Sequence, residues 1–216
     1  MRAKLLNLYN LLYCHFGPQH WWPAESLFEV MVGAILTQST NWSNVEKAIK
    51  NLKGAGCLGL RPIADCRNSK LEKLIRPSGY YKQKTKKLKA FVRFFIQEYQ
   101  GSIKKMQAGK LSELRQELLA VHGIGPETAD SMLLYALDKP TFVVDAYTRR
   151  IWQRLGLFKF DDYHQIKEFF EANLPKRVKL YNEYHALLVA LGKYHCRPKP
   201  KCSICPLTKV CLFSKN

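Results

Sequence analysis

Only one stretch of this 216-residue chain, Thr141–Val144 (TFVV), reads as extended. Nearly everywhere else the apolar residues recur at the three-to-four spacing of a helix. Four residues are too few to found a sheet, so the pattern leaves an all-α fold. Helices are expected over roughly 2–15, 25–38, 43–53, 69–76, 83–100, 111–121, 126–137, 145–155, 163–173 and 178–194. Glycine and proline punctuate the joins at Gly17-Pro18, Gly54–Gly56, Pro77–Gly79 and Lys139-Pro140. No internal repeat or low-complexity tract interrupts them. The length suits one large or two small domains with a substantial core.

Charge narrows the choice of partner. Thirty-five Lys and Arg stand against 17 Asp and Glu, a formal balance of +18. Local concentrations fall at Lys82–Lys89 (KQKTKKLK), Lys104-Lys105 and Arg197–Lys201 (RPKPK). Such an excess speaks of a polyanionic partner and not of a fold. Nucleic acid fits better than a membrane, because no apolar segment approaches the span of about 20 residues. Met1–Phe16 has an amphipathic helix pattern without a small-residue cleavage site, so a cytoplasmic, nucleoid-associated protein is expected.

The segment His122–Arg150 (HGIGPETADSMLLYALDKPTFVVDAYTRR) concentrates the chemistry. Helical spacing in Leu114–Val121 ends near His122, and Gly123-Ile124-Gly125 then forms a hairpin whose glycines leave main-chain N–H groups uncovered. Pro126 suits the first position of the next helix, with Glu127 near its positive end. A helix N-terminus preceded by glycines is a seat for phosphate, and equally an ordinary tight corner. Asp145 follows the apolar run Phe142-Val143-Val144 and precedes the helical, basic segment Tyr147–Arg154. An aspartate there serves as an N-cap, as a catalytic carboxylate, or as both.

Four of the seven cysteines, Cys196, Cys202, Cys205 and Cys211, close the chain with the spacing C-x5-C-x2-C-x5-C. Four thiolates on a short basic loop form a metal or cluster site, and zinc and a [4Fe–4S] cluster both accept such a set. Disulfides suit an intracellular chain poorly. Cys14, Cys57 and Cys66 are isolated and read as buried structural thiols.

With the hairpin, Asp145 and the cysteines together, the chain resembles the endonuclease III superfamily of DNA glycosylases, the helix-hairpin-helix group. The likeness runs from Ile35–Thr40 (ILTQST) to the cysteine loop. It implies a helical barrel domain at 22–135, with the helix-hairpin-helix at about 113–137. A second domain would join 1–21 to 136–216. It also implies a [4Fe–4S] cluster on Cys196, Cys202, Cys205 and Cys211, although the first gap is one residue shorter than the family's usual six. The implied partner is double-stranded DNA, bound by a monomer.

Two details resemble one branch of that family. Glu127 occupies the position where bifunctional relatives carry a lysine nucleophile, and a glutamate cannot form a Schiff base. Trp21-Trp22-Pro23 and Trp42, with Arg76–Tyr81 (RPSGYY) and Gly123–Asp130 (GIGPETAD), are similar to the 3-methyladenine DNA glycosylase III branch. The resemblance makes Asp145 the catalytic carboxylate for removal of a damaged, alkylated purine. Trp21, Trp22 and Trp42 become walls of the base pocket, with Glu127 as a second acid near it. An electron-rich ring face attracts a cationic base. Gln38 would fill the gap left by the extruded base, and Tyr80 would wedge between bases. Gly123, Ile124 and Gly125 would hold a phosphate, and Lys82, Lys84, Lys86 and Lys87 would follow the backbone. The alternatives are a glycosylase with AP lyase activity, a uracil or thymine mismatch glycosylase, and a non-catalytic, cluster-bearing DNA-binding protein.

Overall fold

The computed structural model describes residues 1–157 and 160–215. Among them no strand occurs. The helices are α1 (Arg2–Phe16), α2 (Leu27–Leu36), α3 (Trp42–Gly54), α4 (Leu60–Asp65), α5 (Asn68–Ile75), α6 (Tyr81–Tyr99), α7 (Ile103–Ala108), α8 (Leu111–Ala120), α9 (Pro126–Tyr135), α10 (Ala146–Leu155), α11 (Tyr163–Asn173) and α12 (Val178–Tyr194), with short 3-10 turns such as Arg76–Ser78. The chain is all-α, as expected. Helices α4 and α7 were not anticipated, because six residues are too few to display a period. The chain divides into two compact units, one of residues 22–139 and one joining 1–21 to 140–216.

In the first unit α2 is buried from Glu29 to Leu36 and packs against α3, α6 and α9. It starts two residues later than its apolar pattern suggests. The Ser26 hydroxyl accepts the Glu29 N–H at 3.1 Å and fixes the cap. It stops at Leu36, where the Thr37 hydroxyl turns back to donate to the Gly33 carbonyl at 2.6 Å. Helix α9 is buried from Thr128 to Tyr135. Arg115 of α8 grips Asp130 of α9 with two parallel bonds, Nε–Oδ1 at 2.9 Å and Nη2–Oδ2 at 3.1 Å. That ion pair fixes the two helices flanking the glycine hairpin, and Asp130 is fully buried.

Helix α6 corrects one expectation. Its buried stripe is Lys84, Thr85, Leu88, Phe91, Val92 and Phe95. Lys84 therefore points into the unit and does not follow the DNA backbone, whereas Lys82 and Lys86 are exposed.

In the second unit α12 packs against α1 and α10. An aromatic core joins them: Phe142 stacks on Phe170 at 4.0 Å, and Trp152 meets Phe170 edge-on at 4.7 Å. The Tyr184 hydroxyl donates to the Leu5 carbonyl at 2.8 Å, tying α12 to α1. The extended run Thr141–Val144 is wholly buried without becoming a strand. The Phe142 N–H, which a neighbouring strand would otherwise satisfy, donates to Oε1 of Glu171 at 2.8 Å.

Candidate active site and cysteine loop

Asp145 sits where the buried run meets α10. Its Oδ1 accepts the Thr148 N–H at 2.7 Å, so it is the N-cap of that helix. Its Oδ2 lies 3.8 Å from Nε2 of His185, a buried residue of α12. The Asp145 side chain keeps 14% of its surface exposed, enough to meet a ligand. Burial pushes the His185 pKa down, and the Asp145 charge pulls the other way. Sequence reasoning missed His185, since nothing in the spacing joins residues 145 and 185.

The tryptophans divide. Trp22 and Trp42 meet edge to face with centroids 5.2 Å apart, and Trp22 also meets Tyr135 at 5.4 Å. The Trp22 indole lies across Gly33 of α2, where an added Cβ would stand 3.2 Å from the ring. Both indoles line a cavity of about 280 Å³ with the carboxylates of Glu29 and Glu46. Trp21 and Glu127 do not line it. Trp21 is half-buried in the other unit, and Glu127 is exposed on the first turn of α9.

Around the hairpin the side chains form one bonded set. Gln38 Nε2 donates to the Gly123 carbonyl at 3.0 Å and to the Thr128 hydroxyl at 2.9 Å. Lys87 Nζ donates to Gln38 Oε1 at 2.5 Å, and the Lys87 stem covers Gly123. Gly123 has φ +81° and needs to be glycine. Gly125 has an extended backbone that any residue adopts, which narrows the expectation for the pair. Ile124 is buried and its N–H bonds the Val121 carbonyl, so its side chain serves the core. Gly125 caps α9 without a side-chain hydrogen bond.

Tyr80 is 70% exposed and holds a left-handed backbone, φ +45°. Lys84 Nζ, by contrast, donates to the carbonyls of Leu36 and Ser78 at 2.8 and 2.6 Å. Desolvation and the nearby Lys87 lower its pKa to about 8.

In the cysteine loop, Cys196, Cys202, Cys205 and Cys211 line a single small pocket. Burial pushes the Cys205 thiol up, and each of the other three adds to that effect. Arg154 supports the loop by donating to Cys196 Sγ at 3.4 Å, to the Arg197 carbonyl at 2.6 Å and to the Pro198 carbonyl at 3.1 Å. Arg150 Nε reaches the Cys196 carbonyl at 2.8 Å. Among the described residues, no three His, Cys, Asp or Glu side chains gather as tightly as one ion requires. The other cysteines correct the sequence expectation. Cys57 is buried, but Cys14 is exposed, and the half-buried Cys66 thiol donates to the Arg67 carbonyl at 3.5 Å.

Comparison with known proteins places this arrangement. Residues 32–176 match the family described as HhH-GPD superfamily base excision DNA repair protein. A Methanocaldococcus jannaschii protein provisionally designated a DNA repair glycosylase is 48% identical over 210 residues, 96% of each chain. Thermotoga maritima endonuclease III is 29% identical, over 88% of this chain and 84% of its own. Among solved structures, H. pylori 3-methyladenine DNA glycosylase bound to 1,N6-ethenoadenine superposes with TM-score 0.77 at 32% identity, covering 88% of this chain and 96% of its own. A trapped endonuclease III–DNA covalent intermediate shares the fold with TM-score 0.86 at 22% identity, covering 100% and 97%. The chain belongs to the HhH-GPD superfamily of base excision DNA repair proteins and is one of its DNA glycosylases.

Proposed function

We propose that the protein is a monofunctional glycosylase that hydrolyses the N-glycosidic bond of alkylated purines in duplex DNA, acting as a monomer. The observation that carries this reading is Glu127. It holds the first turn of α9, directly after the hairpin, where a lyase would need an amine. The 32% identity to the H. pylori 3-methyladenine glycosylase supports the substrate class.

In this reading Asp145 meets positive charge as it develops on the sugar, or polarises the attacking water. One oxygen is fixed by the cap of α10, so little reorientation accompanies the reaction. A purine alkylated at N3 or N7 is already cationic and leaves without a proton. A cation–π contribution of roughly 1–2 kcal/mol on Trp22 or Trp42 would select for it. The excess positive charge and the N-terminus of α9 hold the duplex by its phosphates.

Cys196, Cys202, Cys205 and Cys211 would hold a [4Fe–4S] cluster. The four cysteines line one pocket, and the likeness to endonuclease III supports a cluster over a zinc ion. When bound, it supplies four metal–sulfur bonds that close the loop, together with a one-electron couple. Asp145→Asn tests the reading, because asparagine keeps the cap. Base release should be lost while duplex binding persists. A variant that still released base would remove Asp145 from the chemistry.

A further inference from the structure

We propose that Lys84 is a positioning residue that brackets the two turns carrying Gln38 and Tyr80, and so sets the geometry with which the protein extrudes a damaged base. The proposal rests on the reading of Gln38 and Tyr80 as the gap-filling and wedging residues.

Lys84 is only 1% exposed, and its ammonium donates to two main-chain carbonyls, Leu36 and Ser78. Each carbonyl ends a helical element: Leu36 is the last residue of α2, and Ser78 the last of the 3-10 turn 76–78. Helix C-termini present such carbonyls without partners, and a cation there is favourable. Each also lies two residues before a residue assigned to the duplex, Gln38 in one turn and Tyr80 in the other.

Both turns are strained. Ser39 has φ +53° and Tyr80 φ +45°, left-handed values that non-glycine residues rarely adopt. Such conformations persist only where the surroundings over-determine them. Gln38 is also tied to Gly123, Thr128 and Lys87, but Ser39 and Tyr80, which carry the strain, are both exposed. Lys84 supplies the restraint from within. A buried lysine whose purpose was core packing alone would be better replaced by an apolar side chain, given the desolvation that lowers its pKa. A charge retained at that cost, on these two carbonyls, marks the bracket.

A double-mutant cycle on a duplex with one alkylated purine tests the bracket, with single-turnover excision as the readout. Lys84→Met should slow excision of a paired lesion roughly ten- to a hundredfold, in line with the sensitivity of catalysis to small misplacements. The loss should shrink on a duplex whose lesion lies in an unpaired bulge, where extrusion is already done. In a Gln38→Ala/Tyr80→Ala background, Lys84→Met should add little. Equal losses on paired and bulged lesions, or full additivity, would reduce Lys84 to a structural residue and overturn the proposal. If Gln38→Ala and Tyr80→Ala leave excision of a paired lesion unchanged, the wedge reading fails and the bracket fails with it. Should Lys84→Met not fold, Lys84→Gln keeps N–H donors without the charge and carries the same cycle.

Discussion

Asp145 directs its two carboxylate oxygens to different tasks, and the second of them faces His185. Oδ1 is bound by the Thr148 N–H at 2.7 Å, and Oδ2 stands 3.8 Å from Nε2 of the buried imidazole. Burial disfavours the charged imidazole, against the pull of the Asp145 carboxylate. Its negative charge stays available for positive charge that develops on a substrate.

A pH prediction follows from that pair. The His185 pKa in the folded chain lies below the ordinary 6.5, so the unfolded chain takes up the proton first on acidification. The contribution to stability is complete above about pH 6.5 and is lost as pH falls through and below that value. Melting temperature measured from pH 8 to pH 5 should fall less steeply in His185→Gln than in the native chain. Identical slopes would show that His185 does not titrate differently in the folded state.

The Arg115–Asp130 pair should matter mostly through what its loss leaves behind. Arg115→Met strands a wholly buried carboxylate without its guanidinium. Breaking a buried pair in this way costs about 3–5 kcal/mol, and urea unfolding should show it. A loss under about 1 kcal/mol would mean that Arg115 is not what compensates the buried Asp130 carboxylate.

Glycines 123 and 125 look alike in sequence and should behave differently. Gly123→Ala faces a positive φ and a Cβ only 2.4 Å from Lys87 Cγ, on a side chain anchored at Gln38. It should destabilise the protein by about 1–2 kcal/mol and weaken duplex binding. Gly125→Ala meets no atom within 4 Å and should leave stability within about 0.5 kcal/mol. Thermal unfolding and duplex titration of both variants check the contrast.

The cysteine set carries a spectroscopic prediction. Protein purified without oxygen should be brown, with broad absorbance in the blue that Cys202→Ser diminishes or abolishes. Colourless protein holding one zinc per chain would replace the cluster with a zinc site.

The sequence displayed the helices well because long amphipathic segments repeat their own pattern, and it singled out Asp145, which the structure makes a helix N-cap, and the four cysteines, which line one pocket. It concealed what depends on pairs distant along the chain. His185 reaches Asp145 across 40 residues, and Lys87 reaches Gln38 across 49. Lys84 was hidden for another reason. In KQKTKKLK its charge reads as solvated, although it lies four residues before Leu88 on the stripe that continues through Phe91 and Phe95. Treating a lysine in register with a buried stripe as a candidate internal donor would have found it. Thr141–Val144 looked like a strand fragment because a buried strand and a buried connector share the same apolar run, and only the Glu171 bond to Phe142 separates them.

The central claim, base removal without strand cleavage, is tested most directly by incubating the protein with duplexes that each carry one lesion, with and without alkali, and trapping with borohydride in parallel. The account predicts strand breaks at an alkylated purine only after alkali, and no covalent adduct on abasic DNA. Breaks without alkali, accompanied by a borohydride-trapped complex, would contradict it and assign the chain a lyase amine elsewhere than at Glu127.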